Sequence, residues 1–136
     1  MNEELLINAS REAMERAYCP YSNFRVGAAL LTNNGSIITG GNVENASYGA
    51  TICAERSAIV RAIAEGYQQF KAIAICTNLK EPASPCGICR QFLAEFGDMQ
   101  VIMVSSTSNK LAKSLLKDLL PMPFASDCLL TQYLAQ

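Results

Sequence analysis

Histidine is absent from the 136 residues. Its absence removes the commonest general base, the commonest zinc ligand outside cysteine, and every Ser–His or Cys–His nucleophile pair. Acid–base chemistry must therefore fall to a carboxylate, a lysine, a tyrosine or a cysteine, and any zinc site must be rich in thiolate. Basic clusters are missing too. Eleven Lys and Arg stand against twelve Asp and Glu, a formal net charge of −1, with no stripe that would attract a polyanion, so nucleic acid is not an expected partner. No apolar run approaches the ~20 residues that a bilayer crossing needs. Residues 1–18 alternate charged and apolar positions and lack the uninterrupted apolar segment of a signal peptide. The expectation is a cytoplasmic protein with no membrane partner. Repeats, low-complexity stretches and linkers are lacking as well, so residues 1–136 are expected to form one domain, large enough to hold a core without disulfide staples.

The pattern that is present alternates strands and helices. Leu5, Ala9, Ala13 and Ala17 recur every four residues, with Leu6 and Met14 beside them, which predicts an amphipathic first helix. Runs at 24–31 and 36–43 flank Asn33-Asn34-Gly35, a hairpin turn signal. Both faces of the first run carry apolar or small residues, as a strand covered on both sides requires. Residues 53–65 read as a helix closed by Gly66, and 85–96 as a second helix with Pro85 at its start and Gly97 beyond its end. Short apolar strands are predicted at 71–77 and 100–105, and late helices at 111–120 and 126–134, the former stopped by Pro121. The strand–helix–strand succession from 71 to 105 predicts a parallel crossover. The expected fold is a single α/β domain of three α-β-α layers, with a mixed central sheet of about five strands flanked by helices.

Six cysteines are present: Cys19, Cys53, Cys76, Cys86, Cys89 and Cys128. In a reducing compartment such a set more often serves metal binding or catalysis than disulfides. Cys86 and Cys89, three residues apart at a helix start, face the same way and can reach one ion. Cys53 opens the other helix and can supply a third thiolate. The amides of both helix starts favour anionic sulfur. Three protein ligands leave one position of a tetrahedral zinc open, the mark of a catalytic rather than a structural site. Glu55, two residues from Cys53, can sit near the metal without binding it and move protons. Zinc with three thiolates carries net −1, and a guanidinium at Arg56 donating to the sulfurs would draw electron density back from them.

This arrangement resembles the zinc deaminases in which a Glu shuttles protons beside three cysteines. Tyr18-Cys19-Pro20-Tyr21-Ser22, Phe24-Arg25-Val26-Gly27-Ala28-Ala29, Gly41-Asn42-Val43-Glu44-Asn45-Ala46, Cys53-Ala54-Glu55-Arg56 and Ser84-Pro85-Cys86-Gly87-Ile88-Cys89-Arg90-Gln91 are similar, in this order and spacing, to blocks of the free-nucleoside cytidine deaminases. Beyond Leu120 only Leu119-Leu120-Pro121 and Phe124 resemble that family. The resemblance implies one zinc per chain on Cys53, Cys86 and Cys89, and Glu55 as the catalytic acid–base group. It implies hydrolysis of cytidine and deoxycytidine to uridine and deoxyuridine with release of ammonia, a reaction of pyrimidine salvage. It further implies that Phe24 packs on the pyrimidine, that Asn42 and Glu44 hold the ribose hydroxyls, and that Ala54 contacts the substrate. In a homotetramer with shared active sites, Phe124 would reach a neighbour's site.

Several residues admit plainer readings. Phe24 suits the core of its strand, and Glu44 a solvated strand end. A structural zinc site would need Cys76 or another cysteine as fourth ligand and would leave Glu55 without a purpose. A thioredoxin-like pair at Cys86 and Cys89 would leave Cys53 unexplained. Cys19, Cys76 and Cys128 suit small buried positions. For Arg90 the sequence does not choose between a solvated helix residue and a functional one, nor for Tyr48 between a subunit contact and a substrate contact.

Overall fold

The structure is a computed structural model and describes residues 2–125. The helix predicted at 126–134, and Cys128 within it, lie outside the described residues. Asn2 caps the first helix, α1 (Glu3–Met14), its side chain accepting from the Leu5 amide. The hairpin follows as β1 (Val26–Thr32) and β2 (Ile37–Gly41). Its turn contains Gly35 at φ 93°, a left-handed conformation that glycine adopts without a Cβ clash. A short 3₁₀ turn (Tyr48–Ala50) leads into α2 (Ala54–Ala64). Then come β3 (Phe70–Thr77), α3 (Gly87–Ala94) and β4 (Gln100–Ser105).

The five strands form one sheet in the order β2-β1-β3-β4-β5. Pairing is parallel between β3 and β4 and antiparallel elsewhere, the mixed sheet the sequence predicts. Side chains alternate across it with period two. Ala28, Leu30, Ile73, Ile75, Val101 and Met103 enter one core with Ala54, Ala58, Ile59 and Ala62 of α2 and Leu93 of α3. Ala29, Leu31, Ala72, Ala74, Cys76, Ile102 and Val104 enter the other with Leu6 and Met14 of α1. The layers are therefore α1, sheet, and α2 with α3. Burial on both faces is why the strands read as continuous apolar runs.

One expectation is corrected. Leu111, Leu115, Leu116 and Leu119 recur at helical spacing, yet 111–120 is not one helix. Residues Leu111–Leu115 form β5, paired antiparallel to β4 from Gln100↔Leu115 to Val104↔Leu111. Only one turn, α4 (Leu116–Leu119), follows. Without β5 the apolar β4 would present an open edge, and its unpaired amides and carbonyls outweigh local helix preference. Two smaller differences matter for the site. Phe24 precedes β1 instead of sitting inside it, and Cys53 and Cys86 sit one residue before their helices.

Candidate active site

Cys53 is the N-cap residue of α2 and Cys86 that of α3. Both are extended, and neither side chain caps its helix, so both sulfurs are free to turn elsewhere. Cys89 follows in the first turn of α3 and is buried. Its sulfur and those of Cys53 and Cys86 all lie within 4.8 Å of one another, with Cys53 Sγ to Cys86 Sγ at 3.9 Å. Zinc–sulfur bonds of about 2.3 Å in a tetrahedron put sulfurs about 3.8 Å apart. The cluster thus fits zinc in both its donor chemistry and its spacing. Glu55 is not part of the cluster, and Cys76 is buried on the other face of the sheet, in the α1 core. A four-cysteine structural site has no fourth ligand among the described residues.

The electrostatics favour anionic sulfur at Cys53. The Cys53 thiol pKa is lowered to about 5, first by a hydrogen bond from Cys89 and then by the Arg56 guanidinium, against the opposing effect of burial. Cys89 is pushed up by the same bond and by its own burial. Thiols must be deprotonated to bind a metal, so zinc binding here releases protons. Arg56 Nη2 donates to Cys53 Sγ at 3.4 Å, the contact that sequence reasoning assigns to it. Glu55, in the first turn of α2, is 5% exposed, and burial pushes its carboxyl above the usual carboxylate range.

Beside the cluster lies a cleft of about 220 Å³. Phe24, Asn42, Cys53, Ala54, Glu55 and Cys86 line it together with Val26, Thr51, Ile75, Thr77, Ala83 and Ser84. The structure thus gathers most of the residues named from sequence into one wall. Asn42 is buried, and its amide is fixed in orientation. Oδ1 accepts from the Val26 amide at 2.9 Å and from Cys19 Sγ at 3.2 Å, while Nδ2 donates to the Phe24 carbonyl at 2.9 Å. One Nδ2 hydrogen stays uncommitted. Glu44 lies in an adjoining recess with Tyr21, Ser22 and Tyr48, and Thr51 lines both spaces. Its Oε1 accepts from the Tyr21 and Ser22 amides at 3.0 and 3.1 Å, and its Oε2 from the Ser22 hydroxyl. The Ser22 hydroxyl, above all, holds its pKa below the usual range.

Phe124 does not line this cleft; it is 65% exposed and attached to α3 through Gln91, whose side chain bonds both its amide and its carbonyl. Sequence reasoning missed Thr51, Thr77 and Ala83 as lining residues. Small and hydroxylic side chains at loop and strand ends carry no chemical signature, and only the fold brings them to the cleft.

Purified protein should carry one zinc per chain by elemental analysis, and X-ray absorption should show three sulfur ligands. A fourth protein ligand, or no zinc after expression in zinc-replete medium, would refute the site.

Comparison with known proteins points the same way. Residues 1–105 match the family described as the cytidine and deoxycytidylate deaminase zinc-binding region. A probable cytidine deaminase of Dictyostelium discoideum is 48% identical over 136 residues, covering 97% of this chain and 92% of its own. A cytidine deaminase of Sporosarcina psychrophila is 44% identical over 129 residues, covering 93% and 94%. Among solved structures, the cytidine deaminase of Burkholderia pseudomallei superposes with a TM-score of 0.87 at 45% identity, covering 91% of this chain and all of that one.

Proposed function

The chain belongs to the cytidine and deoxycytidylate deaminase family, and from that premise we propose that it hydrolyses free cytidine and deoxycytidine to uridine and deoxyuridine with release of ammonia. The observation that carries the reading is the buried Glu55 carboxyl in the cleft wall, two residues from Cys53 of the three-thiol cluster. A structural metal site has no use for it. Residues 1–136 act as one deaminase domain, which the family match over 1–105 and the continuation of the same sheet through β5 support. Thiol ligands must stay reduced, which supports a cytoplasmic location.

Cys53, Cys86 and Cys89 would hold zinc, which would supply a water with its pKa lowered toward neutrality. The protein does the rest. Glu55 takes a proton from that water and delivers it to N3 of the pyrimidine, which makes C4 electrophilic. The oxygen adds to C4, and Glu55 carries the second proton to the departing amine. Burial raises the Glu55 pKa, which makes its carboxylate a stronger base toward the water and its acid form easier to populate, so one group can both take and deliver a proton. Phe24 packs on the ring and Ala54 borders it. Arg56 withdraws charge from the Cys53 sulfur, which preserves the acidity of the nucleophilic water.

Asn42 and Glu44 hold the ribose hydroxyls; the uncommitted Nδ2 hydrogen and the neighbouring recess support this. Glu44 is an acceptor only, and a hydroxyl offers it a proton that a phosphate cannot. Cytidine should therefore be turned over, and cytidine 3′-monophosphate should show a kcat/KM lower by more than about tenfold, because two like charges would meet. Ammonia and uridine release, followed side by side for the two compounds, checks this. No release from cytidine refutes the activity; equal constants refute the placement of Glu44.

The exposure of Phe124 and its absence from its own cleft support a homotetramer in which each Phe124 completes a neighbour's site. Light scattering should give the mass of four chains. Phe124→Ala should raise KM by about ten- to a hundredfold, in keeping with about 1.5–3 kcal/mol for a buried apolar side chain. An active monomer at assay concentration would overturn the sharing.

A further inference from the structure

Arg90 makes three hydrogen bonds in three directions. Its Nε donates to the Pro85 carbonyl at 2.7 Å, its Nη2 to Ser84 Oγ at 2.9 Å, and its Nη1 to the Leu119 carbonyl at 2.7 Å. Pro85 immediately precedes the ligand Cys86, and Ser84 lines the cleft. Leu119 ends α4, where a carbonyl has no partner within its own helix. Long helical side chains fold back toward the N-terminus of their helix. Arg90 therefore lies over the very turn that presents Cys86, whose carbonyl accepts the Arg90 amide at 2.9 Å.

No other hydrogen bond among the described residues joins this turn to α4. α3 has no side-chain cap, because its N-cap residue is Cys86. The chain before Cys86 has no strand pairing either, since β3 ends at Thr77. The orientation of the Pro85–Cys86 peptide, and with it the direction of the Cys86 sulfur, thus depends on what its carbonyl bonds. We propose that Arg90 is a positioning residue for the metal site: its planar guanidinium locks the Ser84–Cys86 turn against α4, and so sets the Cys86 thiolate at its distance from Cys53. A lysine at this position keeps the charge but cannot present rigid, divergent donors to three acceptors at once.

The proposal rests on the zinc site, not on the reaction. The test is the rate at which zinc-loaded protein releases zinc to an excess of a colorimetric chelator, with no substrate present. Partners that orient metal ligands typically contribute about 10–100-fold to metal affinity. Arg90 acts through one peptide group, so Arg90→Lys should release zinc about tenfold faster, near the low end of that range. Ser84→Ala, which removes one of the three acceptors, should release it about two- to threefold faster, in line with the loss of one modest hydrogen bond. Ile73→Val serves as a control, since it destabilises the core but removes none of the acceptors of Arg90, and should leave the release rate as it was. Wild-type release from Arg90→Lys overturns the proposal, as does acceleration by Ile73→Val matching that of Arg90→Lys at equal loss of thermal stability. If Arg90→Lys does not fold, Ser84→Ala decides, and wild-type release from that variant overturns the proposal. Failure of the cytidine assay with these outcomes intact would refute the deaminase reading and leave the role of Arg90 standing.

Discussion

Glu55→Gln should lower kcat for cytidine by at least about 10³-fold while leaving one zinc per chain. The glutamine matches the size of the glutamate and cannot give or take a proton. One general acid–base contribution amounts to about 10²–10⁴, and Glu55 moves two protons in each turnover, so the loss belongs toward the upper end. Zinc should remain because Glu55 lies outside the cluster of three sulfurs. Thermal stability should hold or rise. The carboxyl is 5% exposed and burial disfavours its charge, so a neutral amide removes a cost that the wild type carries for the sake of its chemistry. Loss of activity together with retained metal and retained stability separates a chemical role from a structural one. A variant within tenfold of wild type would remove Glu55 from the mechanism. A variant without zinc would make it part of the metal site instead.

The cluster and its carboxylate are legible in the sequence because metal chemistry limits the options. With no histidine, a zinc site must gather cysteines, and Cys86 and Cys89 at helical spacing can hardly point apart. The hairpin was legible from Asn33-Asn34-Gly35, and the two-faced sheet from its apolar runs, since those signals are local. β5 was not legible. Leu111, Leu115, Leu116 and Leu119 satisfy the helical period, and the pairing that overrides it depends on the edge of β4, seven or more residues earlier in the chain. Arg90 was undecided for the same reason: its acceptor Leu119 lies 29 residues away. Glu44 shows the converse. Resemblance assigns it to the ribose, while the structure adds the bonds from Tyr21 and Ser22 that order its recess, a partnership no spacing rule announces.

Gly40→Ala should destabilise the protein by more than about 3 kcal/mol, above the usual range for overpacking, and should strip zinc and activity with it. Gly40 lies in β2, opposite Ala28 of β1, under the middle of α2. A Cβ there would stand 2.4 Å from the Ala58 amide nitrogen, 2.8 Å from the Ala54 carbonyl oxygen and 2.9 Å from the Ala58 Cα. These are backbone atoms, and no side-chain rotation can clear them. The helix seats this closely because Ala54, Ala58 and Ala62, all fully buried, present only methyl groups to the sheet. Inserting one more methyl must lift α2 or tilt it. Against a total stability of about 5–15 kcal/mol that is a large fraction. The lift also reaches the chemistry, because Cys53 is the N-cap residue of α2 and Glu55 stands in its first turn, while Cys86 and Cys89 sit at the start of α3 and would stay behind. The three sulfurs would then no longer share one ion. Gly49→Ala is the matched control: nothing lies within 4 Å of its added Cβ, and it should unfold, bind zinc and turn over cytidine as the wild type does. Denaturant unfolding, zinc content and kcat measured on both variants make the comparison. A Gly40→Ala protein that loses less than about 1 kcal/mol and keeps its zinc, a cost ordinary for a tolerated core change, would mean that α2 does not rest on β2 at this distance, and that the depth of Glu55 is set by something other than Gly40.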